Sequence, residues 1–287
     1  MLLSFVVIDT ETRLDNFLGA WTFPRFPFIA LSSLALIYFR GWRTASRLRP
    51  SELPPWRCVC FLSGLASLWL ALASPIDALD DYLLAAHMIQ HFMLMSVAPP
   101  LILLGAPTVP LLHGIPRSMI HRLLRPLFRL RLFHLFCAIL THPAVAWLAM
   151  NIAYLGWHVP AAFELTFRSE TIHNLEHLCF FTTSVMFWWV VIAPWPSRPA
   201  WPRWTIIPFL LSADVVNTVL SATLAFSGRV LYPSYAGAVR VSALTPLQDQ
   251  IAAGVEMWVF GSLVFLIPAI FATYKLFSTH SSELSLG

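Results

Sequence analysis

Long apolar runs alternate with short polar breaks along almost the whole chain. A helix needs about 20 mostly apolar residues to cross a bilayer. On that rule the pattern predicts seven spans, at 24–40, 57–75, 82–104, 143–158, 170–193, 204–226 and 247–277. Arg25 and Pro27 interrupt the start of the first, and Pro143 suits the first turn of the fourth. No internal repeat or low-complexity segment is visible. The expected fold class is all-α: a polytopic transmembrane helix bundle of about seven spans, forming one integral membrane domain over 1–287.

Polar residues break into the apolar runs at few places. The third run, YLLAAHMIQHFMLMSVAPPLILLG, carries His87, Gln90 and His91. His87 and His91 stand one helical turn apart, about 40° from each other around the axis, and two imidazoles so placed can share one metal ion. Below them, Pro99 and Pro100 cannot donate to the carbonyls of Met95 and Ser96, which predicts a kink there. The fifth run opens with TIHNLEHL, placing His173, Glu176, His177 and Ser184 on one stripe. His158, in GWHVP, closes the fourth. Asp214, Asn217, Thr218 and Ser221 share a face of the sixth run; Gln250, Gly254, Met257 and Gly261 share one of the seventh.

Composition agrees with the runs. The chain is 58% hydrophobic and only 11% charged, against roughly 25% charged in soluble domains. The net charge of +4 is a topology signal and not an affinity for nucleic acid. Five arginines flank 41–57 (Arg40, Arg43, Arg47, Arg49, Arg57), five lie in 105–142 (Arg117, Arg122, Arg125, Arg129, Arg131), and Arg198 and Arg203 lie in 194–203. With Lys275 these are expected on one side, leaving Arg13, Arg25, Arg168, Arg229 and Arg240 on the other. The positive-inside rule then puts the N-terminus outside and the C-terminus in the cytoplasm. Segment 116–135 reads either as an amphipathic stretch on the inner membrane surface or as a solvated basic connection. Residues 1–16 lack the basic start and cleavage site of a signal peptide. Cys58 and Cys60 would point about 160° apart on a helix, so packing explains them, and no disulfide framework is indicated.

This topology brings five of the ten histidines to one depth in the outer half of the membrane. The expected metal ligands are His87, His91, His158, His173 and His177, in a polar pocket walled by spans three, five, six and seven. Met95, Glu176, Asp214, Gln250 and Met257 are candidate additional pocket residues, while Met88, Met93, Met150 and Met186 read as packing. Asp214 reads either as an interhelical hydrogen-bond partner or as a charge balancing a bound cation. Imidazoles with thioethers nearby and no paired thiolates suit copper first and zinc second. Two alternatives share these residues: a haem held between histidine pairs, and a zinc hydrolase in which His173, Glu176 and His177 form H-x-x-E-H with Glu176 as base.

Several strings together resemble a known family: HMIQHFMLM running into APPLILLGAP, then WHVP, HNLEH, LAFSGRVLYPSY and LQDQIAAGVEMW. They are similar to the polytopic CtaG-like assembly factors of bacterial caa-type cytochrome c oxidases, over about 74–271. One departure is FWWVV at 187–191, where the family pattern has a proline after the tryptophans. The resemblance implies a non-enzymatic, chaperone-like role in maturing a haem–copper oxidase, with copper handed to an oxidase subunit. It also implies a multi-pass protein of the bacterial plasma membrane, whose partners are oxidase subunits and the lipid bilayer, and whose histidine ligands are the five named above.

Overall fold

The computed structural model describes residues 20–197, 199 and 201–284, and their side chains apart from Leu123 and 279–284. Residues 1–16 with Arg13, Arg198 and the side chain of His280 lie outside what is described. Every regular element among the described residues is helical. The main helices are α1 (Arg25–Leu48), α2 (Pro55–Ala73), α3 (Leu84–Leu104), α4 (Thr108–Gly114), α5 (Arg131–Leu140), α6 (Pro143–Trp157), α7 (Pro160–Arg168), α8 (Glu170–Ile192), α9 (Ile206–Phe226) and α10 (Pro246–Leu284).

Helices stand at all seven expected positions, but not all qualify as spans. Among the described residues, five are long and apolar enough to cross a membrane: Pro55–Leu79, which continues α2 by one turn, then α3, α8, Arg203–Phe226 and Pro246–Ser278. α5 and α6 make a sixth if they cross as one unit, bent by 61° at Thr141 and His142. The sequence does not mark that pairing, because 116–135 reads as one amphipathic or solvated connection; 117–127 forms short helical pieces and α5 starts at Arg131. α1 falls short of the test. It runs eight residues beyond the predicted end, and its uninterrupted apolar stretch, confined between Arg25 and Arg40, is too short for a span.

Two ends of the bundle can be told apart. α3, α8 and α10 begin, and α6 and α9 finish, at what is here termed the histidine end. At the opposite end the Tyr38 hydroxyl donates to the Gly105 carbonyl at 2.7 Å, and Trp195 packs on a cluster of Ala45, Leu53 and Ala106. The arginine-bearing connections after α1 and α3 therefore gather there. α1 docks on α4 through glycines: a Cβ on Gly41 would fall 1.8 Å from the Pro110 carbonyl oxygen, and one on Gly114 1.9 Å from that of Ile37. In lipid, such backbone contact replaces hydrophobic drive as the source of helix association. The central core joins Met95, Met150, Phe180, Phe187, Trp188 and Phe265 from α3, α6, α8 and α10.

α3 is not regular. Its middle turn, Met93–Val97, is a π-helix, and the α-helix resumes at Ala98 with the proline pair. Pro99 has no N–H for the Met95 carbonyl. That oxygen is instead satisfied from α8, by the Ser184 hydroxyl and by Trp188 Nε1 at 3.0 Å. α8 itself runs as one continuous helix through 187–191.

Candidate metal centre

The site is built where α3 and α8 face each other at the histidine end. α3 has no capping side chain of its own at Leu83. Asp249, fully buried in the first turn of α10, accepts from Leu84 N at 2.8 Å and Ala85 N at 3.2 Å. α8 is capped by Ser169, whose hydroxyl oxygen accepts from Ile172 N at 3.4 Å. These two anchors set the histidine-bearing turns that follow them. Gln90 faces away from the histidines and ties α3 to the end of α2, donating to Ala71 O at 2.8 Å and Asp77 Oδ1 at 2.9 Å.

Four imidazoles form a closed circuit. Ring centroids are 4.1 Å apart for His87 and His91, 5.5 Å for His91 and His177, 4.2 Å for His177 and His173, and 5.3 Å for His173 and His87. The two H-x-x-x-H pairs therefore make one cluster. Glu176, from the turn between His173 and His177, lies inside it. Its Oε2 is 3.9 Å from His87 Nε2 and 3.7 Å from His91 Nε2. Ligand atoms of His87, His91, His173 and Glu176 all lie within 4.8 Å of one another. His177 is next to this set but not in it.

The donor atoms lack hydrogen bonds. His87 Nε2, both nitrogens of His91, Nε2 of His173 and His177, and both carboxylate oxygens of Glu176 are buried without a hydrogen bond among the described residues. A buried polar atom left this way costs about 1–3 kcal/mol, and native structures keep few of them. Seven in one place, with imidazole and carboxylate chemistry, fit a transition-metal ion. The His173 side chain is 22% exposed and forms the rim.

The other predicted residues divide. His158, at the C-terminus of α6, stands beside the circuit, 6.1 Å ring to ring from His91. Met95 and Met257 line an internal cavity of about 50 Å³ under the histidines, together with Met88, His91, Met150 and His158. The fourth predicted span thus supplies a wall through Met150, Asn151 and Tyr154, which the sequence reading assigned only to the third, fifth, sixth and seventh. Asp214 and Gln250 are outside the cavity lining. Asp214 accepts from the Ser262 hydroxyl at 2.8 Å, an interhelical hydrogen bond. Gln250 pins the turn after α9, accepting from Leu231 N at 2.6 Å and donating to Leu224 O and Arg229 O.

Three residues around the site carried no expectation. Asp80 Oδ2 lies 3.7 Å from His173 Nε2. Burial, then the nearby Asp81 and Asp77 carboxylates, push the Asp80 carboxyl up to about 8. Tyr235 donates to the Asp80 carbonyl at 2.5 Å, and Tyr232 to the His158 carbonyl at 3.0 Å. The LYPSY string is thus a strap over the site. The acidic run before α3 was the available signal for Asp80; nothing local marks the tyrosines.

Two curated relatives match, uncharacterized proteins of Mycobacterium bovis and Mycobacterium tuberculosis, each 25% identical over 224 residues that cover 75% of this chain. The chain spans about a third of their length, 32%. No solved structure matches. The family model described as "Cytochrome c oxidase caa3 assembly factor" matches residues 36–279, which includes every residue of the histidine circuit. This multi-pass helical chain belongs to the cytochrome c oxidase caa3 assembly factor family.

Proposed function

We propose that the chain takes up a copper ion at His87, His91, His173 and Glu176 and passes it to an oxidase subunit during assembly in the bacterial plasma membrane. The observation that carries this reading is the set of buried, unpartnered nitrogen and carboxylate atoms within 4.8 Å of one another. Copper is cargo here, so the chain's task is to hold the ion and release it, not to turn over a substrate. His173 at the rim is the ligand through which the ion arrives and leaves. The arginine-rich connections at the opposite end favour a cytoplasmic location for that end. The site then faces outward, N-terminus outside and C-terminus inside.

The alternatives draw less support. A haem would have to enter between histidines whose ring centroids already stand 4.1 to 5.5 Å apart. As a hydrolase base, Glu176 would have to act on water at a zinc ion; its carboxylate is instead directed at His87 and His91.

The test is metal content of the detergent-purified chain after growth in copper-replete medium. Near-stoichiometric copper in the parent, lost in the His87→Ala, His91→Ala double variant, is the expected result. A parent that carries no transition metal under those conditions refutes the reading.

A further inference from the structure

We propose that Met88 and His158 form a second, softer metal position beside the carboxylate site, suited to copper in its monovalent state. Its role as a second station rests on the function proposed above; binding at Met88 and His158 stands independently.

The evidence is a proton count. His158 Nδ1 lies 2.7 Å from the Tyr154 carbonyl oxygen, which can only accept, so Nδ1 carries the ring's proton. Nε2 is then a bare lone pair. It faces Met88 Sδ at 3.4 Å, and a thioether has no proton to give. Two lone-pair donors therefore meet with no hydrogen between them. Both side chains are buried, His158 at 4% and Met88 at 2% exposure. The ring is held in this orientation through Nδ1, which donates to the preceding turn.

A soft cation resolves the contact. Thioether and imidazole together select monovalent copper. Metal bonds of about 2.0 Å to nitrogen and about 2.3 Å to sulfur would span the 3.4 Å separation at an angle of about 105°, near that of a tetrahedral or trigonal site. The adjoining cavity of about 50 Å³ brings Met95, Met150 and Met257 to the same space, and no carboxylate lines it. His91 lines the cavity and also belongs to the histidine–carboxylate set. It therefore stands between the two positions, its ring 6.1 Å from that of His158.

The two positions differ in hardness, which makes them separable. The probes are silver(I), which mimics monovalent copper without redox chemistry, and zinc(II). Both are titrated into the full chain, purified in detergent, for the parent, Met88→Leu and Glu176→Gln. Met88→Leu is expected to lower silver affinity about tenfold or more while leaving zinc affinity unchanged. Glu176→Gln is expected to do the reverse. X-ray absorption of the copper(I)-loaded parent should show a sulfur neighbour, a readout that does not depend on any variant folding. Unchanged silver affinity in Met88→Leu, or no sulfur neighbour in the parent, overturns the proposal. Silver binding that depends on Met88, with no zinc binding that depends on Glu176, sustains it and overturns the carboxylate site instead.

Discussion

Asp249 tests whether the metal centre depends on a cap supplied from a distant helix. Its carboxylate, fully buried, receives the first two backbone N–H groups of α3 at 2.8 and 3.2 Å. A hydrogen bond to a charged group contributes about 1.5–3 kcal/mol, and the second bond is long enough to sit at the low end. Asp249→Ala leaves both N–H groups without this acceptor, the Leu84 one buried and the Ala85 one partly so, and a loss of about 2–4 kcal/mol is expected. Asp249→Asn keeps one acceptor oxygen but turns an amide donor toward the other N–H, and about half that loss follows. His87 lies three residues beyond Leu84, so movement of the first turn reaches the ligand directly. Each 1.4 kcal/mol spent restoring the geometry lowers metal affinity about tenfold. The assay is melting of the purified chain in detergent, followed by tryptophan fluorescence, with a zinc(II) titration at a temperature where all three proteins are folded. The expected order is parent, Asn variant, Ala variant in both readouts. An alanine variant that melts with the parent and binds zinc equally well would show that Asp249 does not hold α3.

Two further predictions concern the scaffold. Gly114→Ala forces a methyl group to within 1.9 Å of the Ile37 carbonyl oxygen, so α1 and α4 must part by more than an ångström. A destabilisation of about 1–3 kcal/mol or more is expected, with zinc affinity unchanged because the contact is at the opposite end; matched melting and titration curves check both. Ser184→Ala and Trp188→Phe each leave the Met95 carbonyl one donor and should cost about 1 kcal/mol apiece. The double variant should cost more than their sum, which a double-mutant cycle measures directly.

Much of this arrangement is legible in the sequence because the membrane penalises polar residues. His87, His91, His173 and His177 stand out against apolar surroundings, and helical periodicity alone puts each pair on one stripe. The proline pair likewise announces a broken α3, since a missing donor must leave a carbonyl to be satisfied elsewhere. What supplies the replacement, Ser184 and Trp188, is a tertiary fact that no local pattern contains. Asp214 and Gln250 show the opposite limit. Polar residues on a buried stripe look alike whether they face a ligand or a neighbouring backbone, and these two serve the backbone and a serine. Glu176 reads from the sequence as an additional pocket residue or a hydrolase base, yet its carboxylate joins the α3 rings in the set from which His177 is absent. Met88 reads as filler because its partner, His158, is 70 residues away.

The wide turn at Met93–Val97 has a consequence for spacing. The part of α3 beyond it is locked against α2, where a Cβ on Gly64 would meet Ile102 Cγ1 at 2.7 Å. The part before it is locked by Asp249 and Gln90. Two rigid seams thus dictate two separate azimuths on one helix axis. A uniform α-helix advances about 100° per residue, so the same residues wound without the surplus in the wide turn would swing His87 and His91 away from α8. The distance in residues between His91 and Pro99 therefore carries information of its own. The metal centre is aimed by a count of residues as much as by their chemistry.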